Sequence, residues 1–227
     1  MKITYYGQSC FGIEISGKNL VIDPFITGNE LAKNIDFNAI KADYILVSHG
    51  HQDHTHDLEA LAKNTGAKII SNWEIYNWIV KKGFENAHPM STGGKWKFDF
   101  GTVMCVVAQH SSSFPDGTYA GNPVGFVVWN DQEAFYFAGD TALTFDMKLI
   151  PMLCPKLTCA ILPIGDNFTM DVTQAIIASD FIACDQIIGC HYDTFGFIKI
   201  DHDTARTAFT AKGKNLNLIE IGSTIEL

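Results

Sequence analysis

No stretch of this sequence approaches the roughly 18 uninterrupted apolar residues of a membrane-spanning helix, although 47% of its 227 residues are hydrophobic. That apolar content is expected in an interior, and a chain of this length is long enough to bury one. Basic residues are scarce: 16 Lys and Arg against 25 Asp and Glu give a formal net charge of −9. There is no Lys/Arg run and no interleaving of basic with aromatic residues, so the face that a polyanion binder uses is missing and no nucleic-acid partner is expected. Linkers are missing too. No Pro- or Ser-rich tract or low-complexity segment divides the chain, which predicts one domain over residues 1–227, its two halves meeting near 111–125. The opening Met1-Lys2-Ile3-Thr4-Tyr5-Tyr6-Gly7 alternates as a strand does and has neither an apolar leader core nor a small-residue cleavage site, which points to the cytoplasm. The six cysteines then read as reduced, mostly buried thiols: Cys105, Cys159 and Cys190 lie in apolar strand-like runs, and the spacing of Cys154 and Cys159 is not that of a zinc knuckle.

The sequence does hold a dense cluster of potential metal ligands. Ser48-His49-Gly50-His51-Gln52-Asp53-His54 follows directly on the apolar run Tyr44-Ile45-Leu46-Val47. A buried strand therefore delivers the imidazoles and a carboxylate to a loop at its carboxyl end, where α/β proteins place chemistry. A single histidine at a strand end is more often a hydrogen-bonded structural residue, but four ligand types at this spacing make sense mainly around a divalent cation. His49 and His51, two apart, can turn to one side of an ion, whereas Asp53 and His54 diverge toward a place beside it. The spacing suggests two metal ions.

His49-x-His51-x-Asp53-His54 resembles the signature of the metallo-β-lactamase superfamily, and the resemblance extends over essentially the whole chain. It implies three further ligands, which the sequence offers in order: His110, Asp140 and His191, each just past an apolar run. It also implies an α/β fold of four layers, αββα, with two mixed sheets packed between outer helices. In that scheme His49, His51 and His110 hold one ion, Asp53, His54 and His191 the other, and Asp140 bridges them. Imidazole and carboxylate ligands suit zinc, manganese or iron, with zinc the default. Two such ions can share a water, lower its pKa from 15.7 toward about 7 and supply hydroxide for hydrolysis. Asp53 and Asp140 are thus the catalytic candidates, with Asp53 orienting the attacking group. Asp23, before Pro24, either caps a turn or, as the resemblance implies, supports a ligand imidazole from behind. His56, placed where similar proteins often have glycine, reads as a supporting or solvent-facing residue, and Asp57 as a cap for a helix starting at Leu58.

Within the superfamily, the opening Lys2 to Phe11, the Asp23 to Asn29 loop and Asn122-Pro123-Val124-Gly125-Phe126 look most like metal-dependent hydrolases related to ascorbate-6-phosphate lactonases and the N-acyl-phosphatidylethanolamine phospholipase D. Asp140 stands where zinc β-lactamases carry cysteine, and His51 where the flavodiiron oxidoreductases carry an acidic residue, so neither of those activities is expected. The polar, turn-rich segment 111–125 is the expected substrate loop, in which Phe114, Tyr119 and Asn122 either touch substrate or order the loop. Tyr192 and Phe195, in His191-Tyr192-Asp193-Thr194-Phe195, are candidate pocket walls. The expected activity is hydrolysis of a small-molecule ester, lactone or phosphodiester by a metal-bound hydroxide. The alternatives are a nuclease-type phosphodiesterase and a non-catalytic, metal-stabilised binding or regulatory module. Nothing in the sequence decides between a monomer and a homo-oligomer.

The expected elements are strands at 2–7, 10–16, 19–23, 67–70, 96–100 and 103–109 and a helix at 73–81. The second half reads as strands near 125–129, 134–138, 158–162, 185–190 and 216–220, with helices near 144–152, 171–182 and 203–212. Trp73, Tyr76 and Trp78 read as packing groups.

Overall fold

The apolar alternation of the first residues forms three antiparallel strands, β1 (Lys2–Gly7), β2 (Cys10–Ile15) and β3 (Lys18–Ile22). The computed structural model describes all of residues 1–227. Parallel strands β4 (Tyr44–Val47), β5 (Lys68–Asn72) and β6 (Ala87–Met90) extend this sheet. A second sheet repeats the plan. β7 (Lys95–Phe98), β8 (Gly101–Val107), β9 (Val124–Trp129) and β10 (Ala134–Phe137) pair antiparallel, and β11 (Cys159–Pro163), β12 (Gln186–Cys190) and β13 (Asn215–Asn217) add in parallel. The chain then returns to the first sheet, where β14 (Thr224–Glu226) pairs with β1.

Helices cover the outer faces, as parallel strands buried on both sides require. On the first sheet, α1 (Gln52–Thr55) leads into α2 (Leu58–Thr65) and is followed by α3 (Trp73–Lys81); Leu61, Ile75 and Ile79 share a core with Ile45 and Ile69. On the second, α4 (Ile150–Leu153), α5 (Val172–Phe181) and α6 (His202–Thr210) bring Ala175, Ala178 and Phe209 against Leu162 and Ile187. Between the sheets lies a third core containing Phe11, Phe126, Phe135, Phe137, Ile161 and Ile188. The expected αββα sandwich of two mixed sheets is therefore the fold. No helix is long and apolar enough to cross a membrane.

Several local expectations are corrected. The helix expected over 144–152 starts as a 3₁₀ turn, Phe145–Leu149, and only then becomes α4, whose second residue is Pro151, a residue that lacks an N–H and suits a helix start. The closing strand is shorter, at 215–217, and β14 was not foreseen because its half-exposed edge position needs no apolar pattern. Asp57 does not cap α2 through its side chain; its carboxylate instead accepts from the Ile26 and Thr27 amides at 2.6 and 2.9 Å and from the Thr27 hydroxyl, fixing the 24–29 loop. Trp78 packs as expected, but Trp73 lies 56% exposed.

The two sheets share Phe137, which is fully buried and meets Phe11 edge-on at 6.3 Å. Phe137→Ala is expected to destabilise the protein by about 3–5 kcal/mol in urea unfolding; a loss below about 1 kcal/mol would mean the inter-sheet core closes without that ring.

Candidate metal centre

Strand β4 ends at Val47, and the next two residues, Ser48 and His49, are buried. A side chain at Gly50 would collide with Ala120, so glycine lets the loop turn tightly and begin α1, which carries Asp53 and His54. His110 follows β8, Asp140 follows β10 after the left-handed Gly139, and His191 directly follows β12, itself in the left-handed region at φ +55°. Residues from both sheets thus meet at one edge of the sandwich.

They meet as two groups. His49, His51 and His110 form one, and Asp53, His54, Asp140 and His191 the other, with ligand atoms in each group mutually within 4.8 Å. Asp140 joins them: its Oδ2 lies 3.0 Å from His191 Nε2, 3.4 Å from His54 Nε2, 3.6 Å from His110 Nε2 and 4.0 Å from His49 Nε2. Asp53 Oδ2 is 3.4 Å from His54 Nε2 and 3.7 Å from His191 Nε2.

The buried imidazoles are held from behind. Asp23, fully buried with φ +47°, accepts from His54 Nδ1 at 2.7 Å and from the Ser48 hydroxyl at 2.5 Å through one carboxylate oxygen. Its other oxygen accepts from the Ser48 amide at 2.7 Å. Because the Ser48 hydroxyl donates to Asp23, it accepts from His49 Nδ1 at 2.9 Å. Both rings are fixed in the tautomer that leaves Nε2 as a lone-pair donor facing the other ligands. On the opposite side the Gln8 amide donates to Asp53 Oδ2 at 2.9 Å, while the Gln8 carbonyl accepts from the His191 amide at 2.8 Å and from the Tyr5 hydroxyl at 3.0 Å.

Burial and mutual repulsion depress the pKa of His49; burial likewise lowers those of His51 and His110. Burial also acts to lower His54 and His191, but nearby carboxylates, Asp140 first, outweigh it. His54 is held well above the ordinary imidazole value and His191 is raised to about 9. Burial would raise Asp53 and Asp140; the neighbouring imidazoles override it and hold both carboxylates well below the usual range. His54 Nε2 and Asp140 Oδ1 are buried without a hydrogen-bond partner. Unpaired buried polar atoms of this kind are costly, and an imidazole–carboxylate set around them is the chemistry that a borderline divalent cation satisfies. The residues present therefore fit the metals that the sequence pattern implied.

All seven predicted ligands are brought together, and Asp23 lies behind them. His56 is exposed, its ring edge-on to Phe25 at 5.9 Å and away from the donor groups. The substrate-loop expectations fare worse. Phe114 is 3% exposed and stacked on Trp78 at 4.1 Å, so it belongs to the core. Tyr119 and Asn122 bond each other at 3.1 Å on the exposed loop surface, and Tyr192 is buried beside Tyr5. The cavity over the donors, about 290 Å³, is lined by Phe195, as expected from the sequence, and by Ser111 and Phe168, together with five of the seven donors, not His49 or His54. Ser48, Gln8 and Phe168 went unrecognised. Ser48 adjoins the histidine cluster and carried a local signal; the other two reach the site only through the fold.

Residues 18–192 match the family of β-lactamase superfamily domains. The chain is 61% identical, over the full length of both proteins, to a UPF0173 metal-dependent hydrolase of Flavobacterium johnsoniae, and 60% identical, again over both full lengths, to one of Christiangramia forsetii. Among solved structures it resembles Igni18, a metallo hydrolase of the hyperthermophilic archaeon Ignicoccus hospitalis, with TM-score 0.90 and 34% identity over 99% of this chain and 97% of that one.

Removing the support behind the ligands with Asp23→Asn is expected to weaken zinc affinity roughly 10- to 100-fold, measured by competition with a chromophoric chelator; unchanged affinity would show that Asp23 serves the fold alone. Metal uptake is also expected to depend on pH. The carboxylates around His54 and His191 favour the protonated form of both rings, and a protonated ring cannot ligate, so zinc competes with protons there. Affinity should rise as pH increases toward about 9, with protons released on binding, and calorimetry in buffers of different ionisation enthalpy measures that release. Uptake without proton release would contradict the ligand set.

Proposed function

The chain belongs to the UPF0173 metal-dependent hydrolases of the β-lactamase superfamily, and from that premise we propose a dinuclear enzyme that cleaves a small ester, lactone or phosphodiester. The observation that carries the reading is Asp140, whose single carboxylate oxygen stands within 4.0 Å of histidines from both donor groups. His49, His51 and His110 would hold one ion, Asp53, His54 and His191 the other, and Asp140 both. Imidazole and carboxylate donors suit zinc, manganese or iron, and zinc is our default. The chemistry that such ions supply when bound is Lewis acidity, which lowers the pKa of water toward about 7 and polarises the oxygen under attack.

The protein's own groups do the rest. Asp53, its Oδ2 fixed by Gln8, is partly exposed on the cavity wall and is the acceptor that orients the attacking water and receives its proton. Asp23 and Ser48 keep the His54 and His49 rings in their donor orientation. The main alternative nucleophiles lack support. Cys190, next to His191, is buried, and desolvation raises its thiol pKa. The Ser111 hydroxyl lies 3.3 Å from His51 Nε2, but the other nitrogen of that ring faces His49 and not a carboxylate, so no Ser-His-Asp relay exists there. No Lys or Arg lines the cavity, which weighs against a nuclease, and the presence of all seven donors weighs against a binding module.

Protein purified without chelator is expected to carry about two metals per chain and to hydrolyse a generic ester, lactone or phosphodiester in a metal-dependent manner. Asp140→Ala should remain folded by circular dichroism, lose dinuclear loading and lose at least about 100-fold in turnover. A variant that kept two metals and full turnover would defeat the assignment.

A further inference from the structure

The cavity above the ligands has a polar floor and an aromatic rim. Phe168 and Phe195 line it, and Phe197 meets Phe168 edge-on at 6.4 Å, extending that wall outward. The three rings are 49%, 39% and 78% exposed. Exposure alone says little, since Phe145, which opens the 3₁₀ turn and stacks on Phe181, is 74% exposed. What distinguishes this trio is its continuity with the ligand groups and its rigid mounting.

Phe168 follows two non-glycine residues in the left-handed region, Asp166 (φ +62°) and Asn167 (φ +53°), a rare pairing closed by the Asp166 amide donating to the Met170 carbonyl at 3.0 Å. Phe195 and Phe197 sit on a loop bound at both ends to Asp193. The Asp193 amide donates to the Ile198 carbonyl at 2.8 Å, and its carboxylate accepts from the Ile200 amide at 3.1 Å and from His202 Nε2 at 2.7 Å. The two loops touch: a side chain at Gly165 would strike the His191 carbonyl. The loops that carry the rings are thus built outward from His191 and ordered by their own hydrogen bonds, the arrangement that makes apolar contact productive in binding.

We propose that Phe168, Phe195 and Phe197 form an aromatic clamp for an uncharged apolar arm, aliphatic or aryl, of the substrate whose reacting group lies on the metal centre. This rests on the hydrolase reading above. At about 290 Å³ the cavity is at the small end of ligand pockets, roughly 300–1,000 Å³, and suits a short arm better than a polymer. The nearest basic side chain on these loops, Lys199, lines a separate cavity, one that Phe197 also lines from its place beside Phe168, and no Lys or Arg lines the cavity over the donors.

The test uses acetate, butyrate, hexanoate and phenylacetate, which share a carboxylate and differ only in the arm, titrated by calorimetry into protein purified without chelator. Affinity is expected to rise roughly threefold per added methylene until the cavity fills. Phe168→Ala and Phe197→Ala should each lose roughly tenfold on hexanoate and less than twofold on acetate, while Phe145→Ala tracks the parent. A flat series in the parent, or Phe168 and Phe197 variants parallel to it, overturns the clamp. A flat series together with a concentration-dependent dimer in sedimentation that Phe197→Ala abolishes would overturn it in favour of contact with a second copy. Metal content and turnover on the same samples separate the two readings: a steep series without metal-dependent turnover removes the hydrolase and leaves the clamp, and turnover with a flat series does the reverse.

Discussion

The buried Asp23 carboxylate is the constraint on which the centre depends. A fully buried carboxylate is tolerated only if its lone pairs are used, and here they accept from His54, the Ser48 hydroxyl and the Ser48 amide. Burial raises the Asp23 pKa, while His54 and Ser48 oppose that rise. By satisfying one buried charge, the protein also fixes which face two imidazoles present. The geometry reaches further, because Gly139 approaches Ser48 so closely that an added Cβ would lie 3.1 Å from the Ser48 side chain. The bridging Asp140 is therefore set against the same residue that relays Asp23 to His49.

Backbone strain gathers at this edge of the sandwich. Eight non-glycine residues have positive φ, and six of them, Gln8, Asp23, Asp166, Asn167, His191 and Asp193, lie in loops bordering the centre or its rim. Each such residue costs of order 1–3 kcal/mol in isolation. The cost is offset in the wide inter-sheet core, where Phe11, Phe126, Phe135 and Phe137 are fully buried. The sandwich supplies the stability, and the edge stores the irregular geometry that convergent ligands need.

How much of this could be read in the sequence follows from contact distance along the chain. His49, His51, Asp53 and His54 announce themselves because four candidate ligands share one strand-end loop, whereas His110, Asp140 and His191 were legible through the superfamily resemblance, which implies a His, an Asp and a His in that order. Gln8 gave no such sign: it reaches Asp53 across 45 positions through a left-handed backbone. Phe114 was misread for the opposite reason. Its polar, turn-rich surroundings suggest a surface loop, yet the ring turns inward onto Trp78 of α3, a contact that only the fold can establish. The short β14 escaped notice because an edge strand that closes a sheet by backbone pairing carries little pattern.

The same logic separates chemistry from selectivity in this fold. The first sheet contributes the dense ligand motif on β4 and α1 and the support from Asp23, whereas the aromatic rim comes entirely from loops after β11 and β12 of the second. His191 belongs to both, a member of the donor group by its ring and, through the close approach of Gly165 to its carbonyl, the anchor of the Phe168 loop. A change in the rim that respects that approach alters what lies over the centre without moving the donors. A change that violates it shifts the His191 carbonyl and with it the ring that faces Asp140, so the rim tolerates altered side chains better than an altered backbone.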